Sequence, residues 1–142
     1  MIFVTVGTHE QPFNRLILAI DEMAINNYFQ KEPVIMQIGY SDYLPKSCIY
    51  HKFISYQDMN EYIKKARVVI CHGGPSSIFL SWQHGKNPIV VPRQKKFGEH
   101  VNDHQLEFCK QLTAHGINLN YVIDIKELSE FLNNDSISNI YS

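Results

Sequence analysis

Residues 68–77 read VVICHGGPSS, an apolar run that passes through two glycines into a proline and two serines. The apolar part predicts a buried strand, and Pro75 suits the first position of a helix, where a missing N–H costs nothing. The glycines allow close approach to the backbone, and the amides of Ser76 and Ser77 would face outward at the positive end of the helix dipole. An anion such as a phosphate is therefore the expected ligand, although many turns of this kind in α/β domains bind nothing.

Strands and helices alternate along the chain without repeats or an obvious linker, which predicts an α/β fold with a parallel sheet flanked by helices. The apolar patterns predict strands at 2–6, 34–38, 52–54, 68–72, 89–91 and 122–123. They predict helices at 12–26, 57–66, 75–85, 100–115 and 126–132. We expect a single domain over residues 1–142, with 133–142 as a frayed tail.

Length and charge limit the functions that we consider. A chain of 142 residues suits one domain with a real core. Thirteen Lys and Arg against fourteen Asp and Glu leave a formal charge of -1, so nothing favours a nucleic acid as partner. Three cysteines without paired spacing favour reduced thiols in the cytoplasm. No apolar run approaches the roughly 20 residues that cross a bilayer, so we expect any membrane contact to come through a partner.

Polar clusters follow several predicted strands, at the edge of a parallel sheet where ligands bind. The clusters are Gly7-Thr8-His9, Gly39-Tyr40-Ser41, His72 to Gly74 and Arg93 to Gln105. A dinucleotide site is the obvious rival. It is disfavoured because Thr8-His9-Glu10 follows Gly7 in place of a glycine series, and because no acidic residue ends the second strand.

Three motifs in order resemble one known family. They are the opening strand and turn from Ile2 to His9, the stretch from Phe53-Ile54 to His72-Gly73-Gly74, and the stretch from Pro92-Arg93 to Asn102-Asp103-His104-Gln105. Together they resemble the carboxyl-terminal, nucleotide-sugar-binding half of GT-B glycosyltransferases of the family 28 type. The likeness is greatest for small soluble subunits of two-component enzymes. These include the catalytic subunit of the eukaryotic dolichol-linked N-acetylglucosaminyltransferase and bacterial relatives in capsule and exopolysaccharide assembly. The resemblance implies a Rossmann-like domain, which is half of a GT-B fold.

The resemblance also implies roles for individual positions. In relatives the backbone at the position of Ile54 reads a uracil ring, the glycine turn holds a diphosphate, and the acid-amide run contacts sugar hydroxyls. Gln105 is the preferred sugar contact because a side-chain amide both donates and accepts. Relatives often have a ribose-binding glutamate where this chain has residues 79–82, and Glu99 is the candidate substitute. The expected UDP-sugar contacts are Gly7, Thr8, Phe53, Ile54, His72, Gly73, Gly74, Ser76, Ser77, Arg93, Glu99, Asn102, Asp103, His104 and Gln105.

The chemistry implied by the resemblance is inverting transfer of a sugar from a UDP-sugar to an acceptor hydroxyl. The leaving diphosphate would meet the helix amides and the cations of Arg93 or residues 95–96, so neither a metal nor another cofactor is expected. His9 is the candidate catalytic base, because an imidazole titrates near neutral pH. Two alternatives stay open for this role: a histidine that is only hydrogen-bonded within its turn, and a base supplied by a partner domain.

A metal site built on histidines is disfavoured. His100 and His104 have the spacing of neighbours on one helix face, but no Glu follows the first histidine and no third ligand is evident.

The expected function is that of a glycosyltransferase subunit in polysaccharide biosynthesis. GT-B chemistry takes place between two domains, and this length is expected to supply one. We therefore expect a membrane-associated, acceptor-binding subunit that delivers a lipid-linked saccharide and holds this chain at the inner face of the cell membrane. The alternatives are a donor-binding or regulatory subunit without turnover and a UDP-sugar epimerase-like protein. The sequence leaves the identity of the sugar open.

Overall fold

Within residues 1–133, which are the residues described by the computed structural model, six strands pair in parallel in one sheet. The strands are β1 (Ile2–Thr5), β2 (Val34–Gln37), β3 (Ile49–His51), β4 (Val68–His72), β5 (Ile89–Val91) and β6 (Asn120–Tyr121). Their order across the sheet is β3-β2-β1-β4-β5-β6. The α-helices of this part of the chain are α1 (Asn14–Ile25), α2 (Tyr56–Lys65), α3 (Pro75–Gln83), α4 (His104–Ala114) and α5 (Leu128–Asn133). The predicted α/β fold class is confirmed.

The core lies on both faces of the sheet because successive strand residues point to opposite sides. On one face, Ile2 and Val4 pack with Leu16 of α1, and all three side chains are fully buried. On the other face, Phe3 packs with Ile63 of α2. Because helices cover both faces of the sheet, side chains that point to either face are buried, and the strands are therefore unbroken apolar runs in the sequence.

Several predicted boundaries differ from the structure. The helix predicted from residue 100 begins at His104, because Asn102 Oδ1 accepts the His104 N–H at 3.0 Å and Asp103 Oδ1 accepts the Lys95 N–H at 2.9 Å. Such side-chain bonds to the backbone compete with a helix start. The third strand precedes the predicted 52–54, and the predicted edge strand at 122–123 lies two residues early in the structure.

Other predicted elements hold more closely. α1 begins two residues after the predicted Pro12, and the predicted strand 89–91 is the observed β5. The predicted tail, 133–142, lies outside the described residues except for Asn133, which ends α5. No helix within residues 1–133 is long and apolar enough to cross a membrane.

Two carboxylates, those of Asp21 and Glu32, bind segments that are distant in the sequence. Asp21 of α1 is fully buried and accepts the N–H groups of Lys46 at 2.9 Å and Ser47 at 2.8 Å, which fixes the connection between β2 and β3. Glu32 accepts from the Arg67 guanidinium at 2.7 Å, just before β4. That guanidinium, assisted by the amino terminus, lowers the pKa of Glu32 from 4.5 to about 2.

Candidate functional site

A pocket of about 680 Å³ opens at the carboxyl ends of β1 and β4. These two strands are neighbours in the sheet, but the chain runs from β1 to β2 and β3 on one side before it returns to β4 on the other. The pocket therefore lies at the topological switch point, where open α/β sheets bind their ligands. Its lining residues are Gly7, Thr8, His9, Gln37, Ile54, Tyr56, Met59, His72, Gly74, Pro75, Ser76, Ser77, Phe79, Leu80 and Gln83.

The first turn of α3 forms the polar wall of this pocket. Gly74 is the N-cap residue, Pro75 takes the first helical position as predicted, and the first turn contains no acidic residue. The amides of this turn have no acceptor inside the helix, so they are free to donate to a ligand. Ser76 is exposed, whereas the Ser77 side chain is only 8 % exposed and lines the pocket. This wall is suited to an anion.

The glycines of this region make room for the His72 imidazole. A Cβ atom at Gly74 would lie 2.3 Å from His72 Cε1, and one at Gly7 would lie 2.4 Å from His72 Nε2. The ring is thus enclosed between two residues without side chains. The sequence indicated close approach to a ligand as the reason for the glycines, but at Gly74 a buried histidine is a sufficient reason.

His72 belongs to a buried hydrogen-bond network. Its Nε2 lies 3.2 Å from Ser77 Oγ, and its Nδ1 lies 3.2 Å from Gln105 Nε2. Gln105 Oε1 in turn accepts the N–H groups of Gly73 and Arg93, each at 3.0 Å. The network therefore joins the glycine turn, the start of α3 and α4.

The predicted ligand contacts of Arg93 and Glu99 disagree with the structure. Arg93 is fully buried, and its guanidinium donates to the carbonyls of Val6 and Gln11, both at 2.7 Å, and to that of Glu99 at 3.0 Å. The Glu99 carboxylate is 2 % exposed and is bound by Arg15 at 2.9 Å. Neither residue lines the pocket, because their charged groups are used to hold the surrounding loops. We leave both out of the site.

The predicted sugar contacts lie beside the pocket. His104 and Gln105 line a second cavity of about 430 Å³, which shares Pro75 with the first. Asn102 and Asp103 line neither cavity. Asn102 Oδ1 accepts the His104 N–H at the start of α4, and Asp103 Oδ1 accepts the Lys95 N–H in the turn after β5. The first two residues of the acid-amide run therefore hold the backbone, and the last two line the second cavity.

His9, the candidate base, lines the main pocket and stacks on His100, with ring centroids 4.2 Å apart. Its Nε2 lies 2.9 Å from Gln11 Oε1, which can only accept, so the proton of the neutral ring belongs on Nε2 and the lone pair on Nδ1. Burial and the neighbouring His9 lower the pKa of His100. In its neutral form His9 therefore offers the lone pair of Nδ1 in the main pocket.

An apolar wall, made of side chains from the β3–α2 loop, α2 and α3, also lines the pocket and was only partly predicted. Ile54 lies in it as expected, but Phe53 is about half exposed and lies outside the pocket. Met59 of α2 and Phe79 of α3 complete the wall, and neither was among the predicted contacts. The sequence reasoning also missed Gln37, whose Oε1 accepts the Ile54 N–H at 2.7 Å. A polar residue at the end of a buried strand is the signal that could have revealed it.

Among residues 1–133, no three His, Cys, Asp or Glu side chains are grouped so as to hold a metal ion. The expectation that the reaction needs no metal stays a prediction.

Comparison with known proteins identifies the family and the fold of this chain. A curated human protein, "UDP-N-acetylglucosamine transferase subunit ALG13", is 33 % identical over 123 residues, which cover 81 % of this chain and 10 % of the relative. The chain thus spans about a tenth of that relative's length.

Solved glycosyltransferases share the fold. A glycosyltransferase of kitacinnamycin superposes with a TM-score of 0.60 at 14 % identity, covering 96 % of this chain and 35 % of that one. The glycosyltransferase SnogD of Streptomyces nogalater gives a TM-score of 0.56 at 18 % identity, covering 95 % and 35 %. Residues 1–136 match the glycosyltransferase family 28 C-terminal domain, and the chain therefore belongs to that family.

Proposed function

We propose that this chain is the donor-binding, catalytic subunit of an inverting glycosyltransferase that uses a UDP-sugar. The observation that carries the proposal is the pocket with two unlike walls, one made of the first turn of α3 and the other of apolar side chains. A nucleoside diphosphate has the same two parts, a flat base and an anion.

The base and ribose would lie against the apolar wall of Ile54, Met59 and Phe79, with Gln83 as a polar group within reach of the ribose. The diphosphate would accept hydrogen bonds from the Ser76 and Ser77 amides. These donors are fixed before the reaction begins, so they stabilise the negative charge that grows as the diphosphate leaves.

The sugar would lie between the first turn of α3 and the stacked His9 and His100, towards the cavity of His104 and Gln105. His9 Nδ1 would then accept the proton of the acceptor hydroxyl as that oxygen attacks the anomeric carbon. The bond from the anomeric carbon to the diphosphate breaks, and the configuration inverts.

We further propose that the acceptor is a lipid-linked saccharide of polysaccharide biosynthesis, held by a membrane-associated partner subunit. The similarity to a protein named as a transferase subunit supports this view. This chain also corresponds to about a third of each of the two solved glycosyltransferases compared above, and we propose that the partner supplies here what their remaining parts supply.

Calorimetric titration with UDP tests the donor site. Ser76→Asp should weaken UDP binding about tenfold or more, because a carboxylate several ångströms from the diphosphate costs on the order of 1–4 kcal/mol. Ser76→Asn is the matched control, since it has the same size without the charge and should bind nearly as the parent does. Equal affinity in the two variants would remove the diphosphate from this turn.

Transfer of radiolabelled sugar to a lipid acceptor tests the catalytic part. The purified chain mixed with membranes that contain the partner should transfer sugar, and the chain alone should transfer little, because the acceptor then has no fixed approach to the donor. His9→Ala should lower kcat at least a hundredfold with unchanged UDP affinity. Unchanged kcat would assign the base to the partner, and full turnover without membranes would overturn the two-subunit proposal.

A further inference from the structure

In the buried network around His72, two backbone N–H groups determine which atom of each hydrogen bond donates and which accepts. Gln105 Oε1 is the acceptor for the N–H groups of Gly73 and Arg93, both at 3.0 Å. A backbone N–H can only donate, so the side-chain amide of Gln105 must point its oxygen towards them. Its Nε2 then necessarily faces His72.

The amide of Gln105 fixes where His72 carries its proton. Nε2 of an amide only donates, and it lies 3.2 Å from His72 Nδ1, so Nδ1 must hold a lone pair. Burial, together with the charge of Arg93, lowers the pKa of His72 to about 3, which keeps the ring neutral. The single ring proton is therefore on Nε2.

The orientation of the Ser77 hydroxyl follows from this tautomer. His72 Nε2–H donates to Ser77 Oγ at 3.2 Å, so the hydroxyl acts as the acceptor in this pair. Its own hydrogen must point elsewhere, and within residues 1–133 no protein group is found to accept it. Ser77 lines the main pocket, so that hydrogen is available to a ligand there.

We propose that Gln105 is a positioning residue, which holds His72 as the Nε2–H tautomer so that the Ser77 hydroxyl donates to a phosphate oxygen in the pocket. This inference rests on the proposed function for the identity of the ligand. It assigns Gln105 to the phosphate end of the site, whereas the sequence indicated a sugar contact.

Nitrogen-15 NMR of the histidine rings tests the first step without any ligand. In the parent protein, His72 should show a pyridine-like Nδ1 and a protonated Nε2. In Gln105→Glu, the second carboxylate oxygen would face His72 Nδ1 and accept from it, so the proton should move to Nδ1. A parent His72 with its proton on Nδ1, or a Gln105→Glu variant that keeps it on Nε2, would overturn the proposal.

UDP affinity tests the second step. In Gln105→Glu, the unprotonated His72 Nε2 would accept the Ser77 hydrogen and withdraw it from the pocket, and affinity should fall about tenfold, as does the affinity of Ser77→Ala. The double variant should lose little more than either single variant, because both remove the same hydrogen bond. If the fold-losses of UDP affinity in the two single variants multiply in the double variant, the new carboxylate acts by its charge alone. That result would overturn the proposed link from Gln105 through His72 to Ser77.

The two ligands separate this role from a sugar contact. Gln105→Glu should weaken UDP and the full UDP-sugar by the same factor, whereas a loss confined to the UDP-sugar would contradict the proposal. If the parent protein does not bind UDP at all, the proposed function fails while the tautomer measurement still stands. If Gln105→Glu does not fold, the parent spectrum still tests the proposal, because a proton on His72 Nδ1 is incompatible with an Nε2 of Gln105 that donates to it.

Discussion

Replacing Gly74 by alanine should destabilise the protein through one collision. The new Cβ would lie 2.3 Å from His72 Cε1 and 2.8 Å from His72 Nε2, both well inside contact distance. The ring has little room to retreat, because Gly7 lies on its other side, so near that a Cβ built there would be 2.4 Å from His72 Nε2. The backbone at Gly74 has φ -71° and ψ 129°, which alanine adopts without strain, so the expected cost comes from overpacking alone.

Overpacking of this kind costs about 1–3 kcal/mol. For a domain of this size, each kcal/mol lowers Tm by about 4 °C, so thermal unfolding should shift down by about 4–12 °C. His72→Ala removes the ring and should destabilise the protein by itself, since the Gln105 amide loses its acceptor. In that background, Gly74→Ala should cost less than about 0.5 kcal/mol, so the double-mutant cycle should yield a coupling of about 1–3 kcal/mol.

Gly85→Ala is the control for this cycle. Gly85 has φ +70° with no atom within 4 Å of an added Cβ, so alanine there suffers only the backbone cost of about 1–2 kcal/mol. That cost should be the same with and without His72. If Gly74→Ala also costs the same in both backgrounds, the imidazole is not what excludes a side chain at this position, and the packing argument fails.

Two further predictions concern the edges of the fold. Asp21→Asn should cost about 1–3 kcal/mol in urea unfolding, because its two carboxylate oxygens accept separately from the Lys46 and Ser47 N–H groups and the amide nitrogen that replaces one of them cannot accept. Asp58→Asn, at an exposed position in the first turn of α2, is the control and should cost at most about 0.5 kcal/mol. Since the folded-state pKa of Glu32 is depressed from 4.5 to about 2, its contribution is present above about pH 4.5 and is lost as the pH falls towards 2. Arg67 is half exposed, so screening reduces the contribution to about 1 kcal/mol, and the difference in stability between the parent and Glu32→Gln should vanish near pH 2. A difference that persists there would contradict the assignment.

The sequence was most informative where chemistry and local pattern coincide. The structure from β4 through Gly74 to α3 follows from residues that are neighbours in the sequence. They are an apolar run that forms a buried strand, two glycines that form a turn, and a proline that starts a helix. The element order and the position of the pocket follow from that pattern and from the geometry of parallel sheets. Such features need no knowledge of distant contacts.

Positions that depend on distant partners could not be predicted in the same way. Arg93 looked like a free cation beside a phosphate site, yet its partners are carbonyls 82 and 87 positions away in the chain. Gln37 Oε1 accepts the N–H of Ile54 at the end of the sheet, and neither residue type indicates in the sequence that the two are hydrogen-bonded. The start of α4 depended on which of several polar side chains folds back onto the backbone, a competition that spacing does not decide.

Arg93 has a consequence for the thermodynamics of ligand binding. The buried Arg93 side chain joins the Val6 and Gln11 carbonyls of the β1–α1 loop to the Glu99 carbonyl of the β5–α4 loop. The β1–α1 loop lines the pocket, so this part of the site is held in place before any ligand arrives. Little conformational entropy of the protein is then left to lose on binding. The backbone amides around Glu99 should accordingly exchange with solvent as slowly in the empty protein as in the complex, and the entropic cost of association should come almost entirely from the ligand.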